Sequence, residues 1–166
     1  MKRQIFLRSF VSKLRSLKNL SIQDGPYAEF CDRFGFVETE DQINAIADVV
    51  GDLASGKATD RLICGDVGFG KTEVALRAAF IAAMSGYQVA LVAPTTLLAR
   101  QHGRVFADRF AGFPIKIGVL SRMTPTATAK QTKADMETGD VQIVIGTHAL
   151  LAKSIKFNNL GLLIVD

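Results

Sequence analysis

Five residues within eight positions carry the most visible chemistry in this chain: Gly65, Gly68, Gly70, Lys71 and Thr72, in the run GDVGFGKT. The spacing is G-x-x-x-x-G-K-[ST], the pattern of a phosphate-binding loop. Glycines let a backbone turn tightly and aim successive N–H groups inward, so Asp66, Val67 and Phe69 between them belong to the same cradle. A helix beginning at Gly70 adds the positive end of its dipole. Lys71 places a compact cation against the β- and γ-phosphates, and the Thr72 hydroxyl suits Mg²⁺. An apolar RLIC precedes the loop and an alanine-rich stretch follows it, so the strand–loop–helix context is right. This is a nucleotide phosphate site.

Two further features bear on that site. Phe36-Val37-Glu38-Thr39-Glu40-Asp41-Gln42 stands just before an amphipathic stretch. An amide such as Gln42 offers one donor and one acceptor, matching the N6 and N7 edge of adenine, and Phe36 can flank the base. Thr39 serves equally as a helix N-cap, and Phe36 as core. The second feature is LGLLIVD at 160–166, an apolar strand that closes on a carboxylate, Asp166.

The elements that position these groups follow from periodicity. Helical patterns cover 40–54, 71–85, 96–110 and 126–138, with a short helical turn before 160. Apolar strand runs cover 61–64, 88–93, 115–120, 141–146 and 160–165. Continuous apolar strands alternating with helices predict an α/β fold, a parallel sheet with helices on both faces. In such sheets ligands sit at the carboxyl ends of strands. Asp24-Gly25-Pro26 is a turn signal, so the expected organisation is a basic N-terminal helix over 1–23, a connecting segment over 24–35, and the nucleotide domain over 36–166.

With 166 residues, 48% of them apolar, the chain suits one domain with its own core, and no stretch is apolar enough to span a membrane. Cys31 and Cys64 are far apart and lack metal-ligand spacing, which favours a reducing compartment. The net charge of +4 is uneven. Lys2, Arg3, Arg8, Lys13, Arg15 and Lys18 fall in an arm without a single acid, while the remainder is slightly acidic. Helical spacing in the arm places Phe6, Phe10, Leu14 and Leu17 on one stripe. Docking on another domain or on nucleic acid, an organellar transit peptide, and an amphipathic helix without its packing partner all fit that pattern.

The ordered blocks FVETEDQ, GDVGFGKTEVALRAAF, APTTLLARQH, LSR, IGTH and LLIVD resemble the first motor domain of superfamily 2 helicases and translocases. Within it they resemble the transcription-repair coupling factor family, bacterial DNA translocases that remove stalled RNA polymerase. RecG-type branch-migration helicases share GDVG-GKT, LLA-QH and GTH, but a serine is expected there in place of Phe69. The resemblance covers about residues 27–166. It implies a RecA-like fold, ATP and Mg²⁺ as ligands, double-stranded DNA, RNA polymerase and nucleotide-excision repair proteins as partners, and a bacterial cytoplasmic setting.

By the same resemblance Phe36, Thr39 and Gln42 read adenine, and Lys71 acts with Asp166 in catalysis. Asp166 shares the metal with Thr72, as the first acid of the Walker B motif. Pro94, Thr95, Thr96, Gln101 and His102 form a first nucleic-acid motif, followed by Ser121-Arg122 and Gly146-Thr147-His148. Hydroxyls, backbone N–H groups and one guanidinium suit phosphates rather than base edges. Without the family, Pro94-Thr95-Thr96 is also a turn and cap, His102 faces solvent or a neighbouring helix, and His148 caps a short helix. In the family a glutamate follows the Walker B aspartate, and a second RecA-like domain supplies arginines to the γ-phosphate. The expectation for these 166 residues alone is nucleotide and DNA binding with little or no turnover, the alternative being a non-catalytic nucleotide-binding remnant.

Overall fold

The computed structural model describes residues 2–9, 25–66 and 70–166. The element order is β1 (Lys2–Ser9), α1 (Pro26–Asp32), α2 (Glu40–Ala54), β2 (Thr59–Asp66), α3 (Lys71–Met84), β3 (Gln88–Val92), α4 (Thr96–Arg109), β4 (Ile117–Leu120), α5 (Thr126–Thr138), β5 (Ile143–Gly146), a 3₁₀ turn (His148–Leu151) and β6 (Leu160–Val165). The strands form one sheet in the order β2-β1-β6-β3-β5-β4. β6, β3, β5 and β4 run parallel. β1 is antiparallel to both β2 and β6, so those two point the same way as the rest. Five carboxyl ends therefore meet at one edge.

The expected wholly parallel sheet is thus a mixed one, and the cause is the N-terminal segment. Residues 2–9 are a strand, not part of a helix; residues 10–24 of the arm lie outside the described residues. Within KRQIFLRS the alternation of period two prevails: Ile5, Leu7 and Ser9 are buried while Gln4 and Arg8 are exposed. The ladder runs from Lys2 opposite Asp66 to Ser9 opposite Thr59, and on the other side from Phe6 opposite Val165 to Ser9 opposite Leu162. Pairing on both edges satisfies backbone groups that a solvated helix could not bring to these strands. The arm is therefore in part an interior strand of the main sheet. Leu7, 4% exposed, is the point to test: Leu7→Ala should cost about 2–5 kcal/mol, read as a lower denaturation midpoint. Arg8→Ala, whose ion pair with Asp60 is half exposed, should leave that midpoint unchanged.

One sheet face packs on α1 to α4 and carries Ile5, Leu7, Ile63, Val89, Leu91, Ile143, Ile145, Leu162 and Ile164. Over the other, Val92, Leu120 and Val144 meet Met136 of α5 and Leu150 of the 3₁₀ turn. Helix α1 occupies what the sequence suggests is a connecting segment. Pro26 opens it, and Tyr27 and Phe30 are buried. Phe30 stacks on Phe80 of α3 at 4.3 Å between ring centroids and tilts against Phe110 at 4.9 Å. α3 is buried along nearly its whole length, which its alanines permit by letting the sheet come close. That burial fixes where its first turn points.

Candidate nucleotide and nucleic-acid site

The end of β2 supplies Gly65 and Asp66, and α3 begins at Lys71 with Gly70 as its N-cap. Val67, Gly68 and Phe69 lie outside the described residues. Gly70 has φ 67°, a left-handed conformation that glycine adopts without steric cost. A Cβ at this position would also collide with the Gln42 carboxamide. The Lys71 ammonium donates to the carbonyls of Gly65 at 2.8 Å and Asp66 at 2.6 Å. These backbone acceptors keep a buried cation paired, and phosphate oxygens are their natural replacement. Thr72 follows in the first turn of α3, half-buried.

The Gln42 carboxamide is engaged at the start of α2. Its side-chain oxygen accepts from the Thr39 N–H at 2.8 Å, and the Thr39 hydroxyl accepts from the Gln42 N–H at 3.3 Å, which closes a capping box on α2. The rest of the carboxamide rests against Gly70. Thr39 is therefore a cap, and Gln42 ties the start of α2 to the phosphate loop. Beside them opens a cleft of about 280 Å³ lined by Asp41, Gln42, Ala45, Cys64, Asp66 and Lys71, among others. Phe36 is 78% exposed, its ring tilted against that of Phe34 at 5.6 Å between centroids.

Sequence reasoning missed the ion pairs beneath this segment. Arg77 of α3 bonds Glu38 on one side and Glu73 at 2.9 Å on the other. Arg109 of α4 donates to the same Glu73 oxygen at 2.9 Å and to the Phe30 carbonyl at 3.1 Å. The visible signal was the i, i+4 spacing of Glu73 and Arg77. The Arg77 hydrogen bond holds the Glu38 carboxyl below its ordinary pKa of 4.5. A carboxylate with a depressed folded pKa adds stability above its unfolded value and loses it as pH falls through the folded one. Unfolding midpoints should therefore drop on acidification below about pH 4.5, and Glu38→Gln should flatten that limb in a pH series of thermal melts.

At the end of β6, Asp166 is held by its own N–H, which donates to the Val92 carbonyl at 3.0 Å. Its carboxylate Oδ2 lies 2.8 Å from His102 Nε2. His102 thus departs from its expected place among nucleic-acid contacts: it lies on the buried face of α4. No cluster of three or more His, Cys, Asp or Glu occurs among the described residues. A carboxylate and a threonine hydroxyl are oxygen donors of the kind that suits Mg²⁺ carried with a nucleotide.

The remaining candidates follow the ends of β3, β4 and β5. Pro94 and Thr95 are exposed, and the Thr95 hydroxyl accepts from the Leu98 N–H at 3.2 Å as the cap of α4. Thr96 opens α4, and Gln101 is exposed on it. Ser121 is half-buried in a turn with Thr124, and Arg122 is exposed. Gly146 and Thr147 are buried, and His148 is exposed at the start of the 3₁₀ turn. A Cβ on Gly146 would strike the Leu120 carbonyl and Leu150, so this glycine serves packing.

The family model for DEAD/DEAH box helicases matches residues 39–166. The chain belongs to that helicase family. Among curated relatives, the transcription-repair-coupling factor of Haemophilus influenzae is 53% identical over 140 residues, 84% of this chain and 12% of that protein. The one from Escherichia coli K12 is 52% identical, with the same coverage. The chain thus spans roughly an eighth of these helicase-family relatives. Among solved structures, RecG bound to a three-way DNA junction aligns with a TM-score of 0.72 at 33% identity, covering 81% of this chain and 18% of that one. The sheet and its helices are those of a RecA-like helicase motor domain, whose α/β class the strand–helix alternation predicts. Among the described residues no helix is long and apolar enough to cross a membrane.

Proposed function

We propose that this chain is the ATP-binding half of a DNA translocase motor of the transcription-repair-coupling-factor kind. One observation carries the reading. The phosphate loop, Asp166, and the turns at Pro94–Thr96, Ser121–Arg122 and Thr147–His148 all follow carboxyl ends of the five co-directional strands, hence one edge of the sheet. The whole protein would move along duplex DNA on ATP hydrolysis and displace stalled RNA polymerase, with nucleotide-excision repair proteins as partners, in the bacterial cytoplasm.

In this reading Lys71 exchanges the Gly65 and Asp66 carbonyls for phosphate oxygens, and the N-terminal N–H groups of α3 receive the same anion. Phe36 flanks adenine, while Gln42 and Thr39 brace the loop from behind. Thr72 and Asp166 would hold Mg²⁺, which when bound neutralises charge on the phosphoryl oxygens. The exposed Thr95, Gln101, Arg122 and His148 meet the DNA backbone, which permits tracking without sequence preference. Ser121, Thr147 and Gly146 shape the turns that present them.

The test is titration with a fluorescent ATP analogue, with and without Mg²⁺, beside anisotropy of labelled linear duplex and a three-way junction. Mg²⁺-dependent nucleotide binding and salt-sensitive duplex binding are expected. Absence of nucleotide binding would remove the assignment, and a tenfold or greater preference for the junction would favour a RecG-type motor.

A further inference from the structure

His102 is a buried polar group left without a role by the mechanism above. It shares the inward face of α4 with Ala99, Gly103 and Phe106. The side chains of His102 and Asp166 are only 11% and 12% exposed. Both groups stand on fixed elements. Thr95 caps α4, and any Cβ on Gly103 would press into Val119 of β4, so helix and sheet are in close contact. Asp166 is pinned by its N–H to the Val92 carbonyl.

A carboxylate only accepts, so Nε2 is the donor in the 2.8 Å contact with Oδ2. That bond engages one oxygen and orients the other. Oδ1 accepts no hydrogen bond among the described residues. Groups that hydrogen-bond a metal-ligating carboxylate fix its orientation.

We propose that His102 is a positioning residue for Asp166: Nε2 holds Oδ2 and leaves Oδ1 available to the Mg²⁺ that Asp166 would help to hold with a bound nucleotide. The inference rests on the reading of Asp166 as the magnesium acid. His102 acts through Asp166 and touches neither nucleotide nor metal. It also sits on the helix whose opposite face exposes Arg100, Gln101 and Arg104, so one rigid element carries both a metal-side brace and a candidate DNA face.

The test measures the Mg²⁺ concentration that gives half-maximal binding of a fluorescent ATP analogue, alongside affinity in EDTA. His102→Ala should raise the Mg²⁺ requirement about tenfold, the lower range for loss of a group supporting a metal ligand. Its EDTA affinity should stay within about twofold, because no phosphate contact is lost. His102→Gln, whose amide nitrogen can take the place of Nε2, should restore most of the wild-type requirement. In an Asp166→Asn background, His102→Ala should add nothing, since the two act as one unit. The proposal is overturned if His102→Ala leaves the Mg²⁺ requirement unchanged, if His102→Gln is as impaired as His102→Ala, or if the effects of the two sites simply add. A raised requirement in Asp166→Asn with none in His102→Ala sinks the proposal and leaves the magnesium reading standing. Wild-type binding that is indifferent to Mg²⁺ removes both.

Discussion

Lys71→Ala should weaken binding of a fluorescent ATP analogue by about ten- to a hundredfold in an equilibrium titration with Mg²⁺ present. The magnitude follows from charge-assisted hydrogen bonds, worth about 1.5–3 kcal/mol each, with every 1.4 kcal/mol a factor of ten. Lys71 is 8% exposed, so its ammonium acts where water screens little. The same substitution strands the Gly65 and Asp66 carbonyls, but these border an open cleft and can turn to water. Thermal stability without nucleotide should therefore change little, and protection by added ATP should disappear. Lys71→Arg should not rescue, because a planar guanidinium does not reproduce a compact point charge. Unchanged affinity in Lys71→Ala would show that the nucleotide binds elsewhere.

The largest stability effect is expected at Phe80. This ring has no solvent exposure and lies within 4.3 Å of Phe30 and 4.9 Å of Phe113, centroid to centroid. It joins α1, α3 and the end of α4. Phe80→Ala should cost about 3–5 kcal/mol, through lost transfer energy and the cavity left behind. At this chain length each kcal/mol moves the midpoint by about 2–4 °C, so a fall of roughly 10 °C is expected in calorimetry. Phe80→Leu keeps most of the volume and should lose less. An alanine variant melting within about 2 °C of wild type would mean that α1 does not dock on α3 as described.

These two sites differ in how far they could be read in advance. The loop around Lys71 was legible because its chemistry is local: glycines, lysine and threonine within eight positions. Element bounds were legible for the same reason, and α2, α5 and β6 coincide with the spans read from periodicity. Helix α1 was readable in principle, since Pro26 precedes Tyr27 and Phe30 at helical spacing, but the neighbouring turn signal obscured it. The N-terminal arm was not readable. The apolar residues of its first nine positions fit a helical stripe and a strand alternation alike, and there the choice belongs to β2 and β6, fifty or more positions away.

The same division runs through the site. By itself the sequence determined the G-x-x-x-x-G-K-T pattern between a strand and a helix, an α/β framework and an acid at the end of an apolar strand, because each is written in near neighbours. Only the tertiary structure decided that Gln42 braces the loop, that Arg77 and Arg109 converge on Glu73, and that β1 enters the sheet. It also decided that His102 turns inward to Asp166, sixty-four positions along the chain. A partner that distant leaves no spacing to read. What selects it is the packing of α4 on the sheet, which admits one polar ring where a carboxylate waits to be held.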